Sequence, residues 1–124
     1  MWWSSSEGER EKAKEEFEDL PEDMQGRLLQ AVGRYLGGAT RRGDIDKLGG
    51  GIFEFRTHKA NNEYRLLFFD WGHLVVGLTA FYKNQQRTPP KYLNRAKERR
   101  KRWLDTRGET PPTVPAQRIP TCDT

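Results

Sequence analysis

Glu54 and Arg56 lie two residues apart in the run Ile52-Phe53-Glu54-Phe55-Arg56, and Arg65 is the one charge inside Tyr64-Arg65-Leu66-Leu67-Phe68-Phe69. Lys83 and Asn84 stand where a third apolar stretch ends. Charged residues rarely occupy strands this apolar unless they face solvent or a ligand. If the first two runs pair as neighbouring strands, Arg56 and Arg65 come together, and Lys83 adds a third cation to one concave surface. Such a cluster repels itself unless an anion is shared, and a phosphate group has the charge and acceptor geometry to be that anion. Ordinary cross-strand salt bridges from Glu54 and Arg56, with Arg65 capping the sheet edge, would account for the same residues. Other chemistries leave no trace: there is no P-loop, no paired metal-ligand motif and no Ser/His/Asp spacing. His58 and His73 fall in or beside turns and are expected to be solvent-exposed structural residues. Neither a metal nor a cofactor is expected.

The elements that must position these residues are legible in outline. Glu7 to Asp19 alternates acids with bases around two apolar points, Ala13 and Phe17, so a helix here has a thin stripe and is marginal. Pro21 suits a first helical turn, Glu22 and Asp23 suit its positive end, and Met24, Leu28, Val32 and Tyr35 recur at helical spacing before Gly37-Gly38. Thr40 to Asp46 is polar, and Gly49-Gly50-Gly51 turns the chain into Ile52 to Arg56, which alternates like a half-buried strand. Asn61-Asn62 signals a hairpin into the strand Tyr64 to Phe69, and Asp70-Trp71-Gly72 signals a second turn into His73 to Tyr82. Thr88-Pro89-Pro90 starts a last helix ending near Gly108, with Tyr92, Leu93, Ala96, Trp103 and Leu104 as its apolar stripe and Lys91, Arg95, Arg99 and Arg102 on the other side. The order helix, helix, strand, strand, strand, helix gives a small α+β domain: helices cover one face of a twisted antiparallel sheet and the other face is partly open. The expected divisions are a charged N-terminal extension at 1–19, a domain at 20–107 and a disordered proline-rich tail at 108–124.

Length and charge narrow the function. A chain of 124 residues has room for one core. It lacks an apolar stretch long enough to cross a bilayer and has no signal-peptide pattern at Met1-Trp2-Trp3-Ser4, so a soluble cytoplasmic protein without a membrane partner is expected. The single cysteine, Cys122, excludes an intrachain disulfide. Residues 1–23 carry nine acids and three bases, whereas 83–107 carry ten bases and two acids. A basic block of that density attracts polyanions such as RNA, DNA or the ribosome regardless of base sequence. A solvated helix face balanced by the acidic N-terminus is the plainer explanation.

Taken in order, the segments Leu48-Gly49-Gly50-Gly51-Ile52-Phe53-Glu54-Phe55-Arg56, Glu63-Tyr64-Arg65-Leu66-Leu67-Phe68-Phe69, Ala80-Phe81-Tyr82-Lys83-Asn84-Gln85-Gln86-Arg87-Thr88-Pro89 and Ala96-Lys97-Glu98-Arg99 resemble the phage-derived HigB branch of the RelE/ParE toxin superfamily. The resemblance runs from about Leu20 to Leu104, and its most specific part is an aromatic residue and Lys followed by Thr-Pro and a basic helix. It implies a RelE-like fold, a toxin that cuts mRNA in the ribosomal A site, and a helix-turn-helix, HigA-like antitoxin that silences it. By position, Arg56, Arg65 and Lys83 fall where the family places basic residues around the scissile phosphate. Glu54 matches the acid of a Glu-Leu-Arg strand motif, with Phe55 in place of Leu, and Asn84 stands where a second Lys is common.

Cleavage without a metal would have the ribose 2′-OH attack the adjacent phosphate, with Glu54 as base, Arg56 and Arg65 stabilising the phosphorane, and Lys83 as a phosphate contact or proton-transfer group. Tyr82 is a candidate acid or base-stacking residue. Tyr82, Asn84, Arg87, Lys91, Arg95, Arg99 and Arg102 form the expected RNA-contacting set. A non-catalytic binding module of the same fold and a ParE-type gyrase poison are the competing readings, neither of which needs the strand cluster.

Overall fold

The computed structural model describes residues 1–4, 11–83 and 88–111. The elements are β1 (Trp2–Trp3), α1 (Lys12–Glu18), α2 (Glu22–Leu36), β2 (Ile45–Gly49), β3 (Ile52–Lys59), β4 (Asn62–Trp71), β5 (Leu74–Lys83) and α3 (Pro90–Arg107). The five strands form one sheet in the order β1-β5-β4-β3-β2. The class is the expected α+β, and β3 to β5 make the expected antiparallel meander, which β2 extends by one strand.

Two strands are additions. β2 was expected as polar connection; its Asp46 and Lys47 are exposed and only Ile45 and Leu48 turn inward, as suits an edge strand. It joins β3 through Gly49, Gly50 and Gly51, all at positive φ (92°, 65° and 80°), a run that glycine adopts without steric cost. β1 lies parallel to β5, pairing Trp2 with Val76 and Trp3 with Gly77, so the sheet is mixed rather than wholly antiparallel. Gly77 makes room for it: a Cβ there would sit 2.7 Å from Met1 Cε and 2.8 Å from the Trp3 ring.

The α1–α2 segment covers one face of the sheet, and α3 covers much of the other, the face expected to be partly open. On one side Phe55, Tyr64, Leu66, Phe68, Val75 and Ala80 pack against Phe17, Leu20, Met24, Leu28, Ala31 and Val32 of the α1–α2 segment. On the other, Ile52, Leu67, Phe69, Trp71, Val76, Leu78 and Phe81 pack against Ala96 and Trp103 of α3. The reason is in β4. Leu66-Leu67-Phe68-Phe69 is apolar at four successive positions, so alternation sends two large side chains to each face and both need cover.

The N-terminal segment is part of this body. Ala13 and Phe17, one helical turn apart, are both buried, so the thin stripe of α1 suffices when it is laid against β5. Trp71 belongs to β4 rather than to the turn. Its indole Nε1 donates to the Gly108 carbonyl at 2.9 Å, and Gly72, at φ 64°, makes the bend. The proline-rich segment from Pro112 onward lies outside the described residues.

Candidate active site

Strand register places Arg56 directly opposite Arg65, as the meander requires, and Glu54 one diagonal step away, opposite Leu67. Glu63 pairs with His58 on one side and with Lys83 on the other. These positions alternate with Phe55, Tyr64 and Leu66, which enter the α1–α2 core, and therefore share the α3 side of the sheet. On that side, Arg56, His58 and Glu63 remain partly or fully exposed and, with Gly43 and Thr57, line an open cleft of about 330 Å³.

Behind the cleft lies a closed polar network. The Thr88 hydroxyl donates to Glu54 Oε2 at 2.6 Å and accepts from Arg65 Nη1 at 2.8 Å. Arg65 Nη2 donates to Glu63 Oε1, and Arg65 Nη1 lies 3.6 Å from Glu54 Oε1. Glu54 is 1% exposed and Arg65 0%. The outer cation, Arg56, has Nε 3.9 Å from Glu54 Oε1 and Nη1 3.9 Å from Asp46 Oδ2. Glu54 thus stands between the two guanidinium groups, and carboxylates of the sheet itself relieve their repulsion.

Arg65 does not cap the sheet edge; it is fully enclosed, with Thr88, Glu63 and Glu54 around its guanidinium. β4 is the middle strand of five, so a charge on it must find its partners inside the protein. The surroundings act on Glu54 as well. Burial pushes its carboxyl above the ordinary glutamate range, outweighing the Thr88 hydrogen bond and the charges of Arg65 and Arg56. A carboxyl of this kind binds a proton more readily than a surface glutamate, a property suited to proton transfer.

The other expected site residues fall in three places. Lys83 ends β5, in backbone register with Glu63 of β4. Tyr82 belongs to the face opposite Arg65, where the residue is 58% exposed and its ring stacks on Tyr64 at 5.8 Å. Asn84 and Arg87 lie outside the described residues.

The basic helix divides in two. Lys91 and Arg102 point outward, Lys91 with its Nζ 4.9 Å from the Tyr92 ring centroid and Arg102 3.8 Å from Glu98. Arg95 and Arg99 turn instead to Glu16 of α1. Arg99 donates to both Glu16 carboxylate oxygens at 2.8 and 2.9 Å and to the Leu78 carbonyl at 2.8 Å, while Arg95 lies 3.6 Å away. Thr79 adds a hydrogen bond of 2.6 Å to the same carboxylate. Burial raises the Glu16 pKa, but the Arg99 and Thr79 hydrogen bonds and the charges of Arg99 and Arg95 together hold it below the ordinary range. Arg99 was expected opposite the apolar stripe; it lies three residues after Ala96 and four before Trp103, which puts it on the packed side.

Three contributors were not anticipated. Thr88 stood in the Thr-Pro step and carried a signal of position only. Glu63 precedes the apolar run and looks like a strand-end charge. His58, expected as a structural residue, continues the face of Glu54 and Arg56 with period two. Among the described residues no group of three or more His, Cys, Asp or Glu side chains could hold a metal ion.

The family described as "Phage derived protein Gp49-like (DUF891)" matches residues 15–101. Two curated relatives from Mycobacterium tuberculosis, one from strain CDC 1551 / Oshkosh and one from strain ATCC 25618 / H37Rv, each carry the name "Probable endoribonuclease HigB1". Each is 46% identical to this chain over 99 residues, which is 80% of this chain and 79% of the relative.

Proposed function

The chain belongs to the phage-derived Gp49-like family and is HigB-like, and from that premise we propose that it is the endoribonuclease toxin of a toxin–antitoxin pair. Its substrate is mRNA on the ribosome, its reaction needs no metal, and its silencing partner is a helix-turn-helix, HigA-like antitoxin. It works in the cytoplasm, where translating ribosomes are; none of the helices among the described residues is long and apolar enough to cross a membrane.

The observation that carries this reading is Glu54: a buried carboxyl with raised proton affinity, positioned by Thr88 and Arg65 behind a cleft whose wall includes Arg56. The 2′-OH gives its proton to Glu54, and the 2′-oxygen forms a bond to the adjacent phosphorus. The bond from phosphorus to the 5′-oxygen breaks, that oxygen takes up a proton, and the products are a 2′,3′-cyclic phosphate and a 5′-hydroxyl end. Arg56 meets the negative charge that grows on the phosphorane, where a fixed cation lowers the barrier most. Lys83 adds a phosphate contact. Arg65 acts through Glu54 and Glu63 as a positioning residue. Glu54 meets the ribose when the Thr88 side chain turns aside, which gives up its hydrogen bonds with Glu54 and Arg65 and frees Oε2.

The test is purified protein with mRNA-programmed ribosomes, with and without a chelator, followed by mapping of the product ends. The expected result is cleavage within the translated region, unaffected by chelation, leaving cyclic phosphate and 5′-hydroxyl termini. Loss of cleavage on chelation would overturn the metal-free step. Growth arrest in cells without new mRNA ends would replace the nuclease by a gyrase poison or a pure binder.

A further inference from the structure

The reaction needs a proton donor for the departing 5′-oxygen, and the geometry points to His58 as that donor. The assignment rests on the nuclease reading above.

In an in-line displacement the attacking and leaving oxygens occupy opposite apices of the phosphorane, so base and acid must stand on opposite sides of the group that neutralises the phosphate. β3 has this order built into its pleat. Glu54, Arg56 and His58 follow one another at every second residue on one face, each step about 6.6 to 6.8 Å along the strand. A phosphate over Arg56 then has Glu54 on one side and His58 on the other. His58 is exposed and shares the walls of the cleft with Arg56 and Glu63. Glu63 is also its register partner on β4, which places a carboxylate across from the imidazole.

Other candidate donors are less well placed. Tyr82 and Tyr64 belong to the opposite face, and Tyr64 is buried. Guanidinium groups do not give up protons, which removes Arg56 and Arg65. Lys59 alternates to the α2 side, where its Nζ holds Asp23 Oδ2 at 2.9 Å. Lys83, at the end of β5 in register with Glu63, is the remaining rival.

The experiment replaces the scissile 5′-bridging oxygen of the mRNA by sulfur, because a thiolate leaves without being protonated. On programmed ribosomes, His58→Asn and His58→Gln should cut the oxygen substrate about 100-fold more slowly than the unaltered protein, the low end for loss of a general acid. Both should cut the sulfur substrate at the unaltered rate, whereas Glu54→Gln should be slow on both substrates. Equal slowing of the His58 variants on both substrates, or no slowing on either, would overturn the assignment. Selective rescue of Lys83→Met by sulfur would transfer the role to Lys83. An unaltered protein that cuts neither substrate would overturn the nuclease reading and this assignment with it.

Discussion

Arg56 and Arg65 stand directly opposite one another on β3 and β4, yet a third of the Arg56 side chain is open to solvent while that of Arg65 is completely enclosed. The two charges share a face and differ in depth, because β4 is the middle strand and Thr88 closes over Arg65. The same residue type therefore has two uses: Arg56 can meet a polyanion, and Arg65 holds Glu54 and Glu63 in place.

Arg56→Ala should lower single-turnover cleavage about 100-fold, the usual scale for removing one charge-stabilising donor. Stability should change by no more than about 0.5 kcal/mol, as for other partly exposed positions. Paired rate and thermal-melt measurements check both halves.

Arg65→Ala should act first on folding. It strands the buried Glu54 carboxylate and strips Glu63 of its partner, a loss of about 3 to 5 kcal/mol in urea unfolding. Removing the carboxylate as well, in Glu54→Gln with Arg65→Met, should recover a large part of that loss. A single variant as stable as the unaltered protein would show that the network contributes nothing to the fold.

Charge reversal on α3 should divide as its side chains do. Arg102→Glu should leave the melt nearly unchanged and weaken ribosome association, because an exposed cation contributes to phosphate attraction and its salt dependence. Arg99→Glu should cost roughly 2 to 3 kcal/mol through lost charged hydrogen bonds and repulsion from Glu16.

The same contact sets a sign for acid. The folded-state pKa of Glu16 lies below its ordinary 4.5, so its stabilisation is complete above about that pH and is lost as pH falls through the lower folded value. Glu16→Gln should therefore flatten the acid side of the stability curve and leave the fold less stable at neutral pH.

Much of this arrangement was legible in the sequence, and the exceptions have physical causes. Period-two alternation in Ile52 to Arg56 placed Glu54 and Arg56 on one face, and the short links placed Arg56 beside Arg65. Depth was not legible, because Arg65 is enclosed by Thr88 and by side-chain partners on a face expected to be partly open, and neither the Thr88 contact nor the extent of that cover shows in strand spacing. β2 is a polar edge, and β1 is two residues pairing with a partner more than seventy positions away. Gly77, an isolated glycine in an apolar strand, was the trace that β1 left. The spacing of Ala96, Arg99 and Trp103 already held the packed position of Arg99, although a basic residue reads as outward by type.

Thr88 offers a pH test of the base. Its hydrogen bond lowers the Glu54 pKa against the larger effect of burial, so Thr88→Val should raise it further. A base must be deprotonated to act; the acid limb of the cleavage-rate profile should therefore move to higher pH in the variant, with the plateau reached later. A limb that stays in place would detach Glu54 from the rate.

The central claim is that Glu54 takes the proton from the attacking 2′-OH, and the most direct measurement is the single-turnover cleavage rate of Glu54→Gln on programmed ribosomes across pH, with a melt to establish folding. The substitution keeps size and an acceptor for Thr88 while removing the basic carboxylate. The predicted result is a rate lower by at least about 100-fold that no longer falls on the acid side. A folded Glu54→Gln protein that cuts at the unaltered rate with the unaltered acid limb would contradict it.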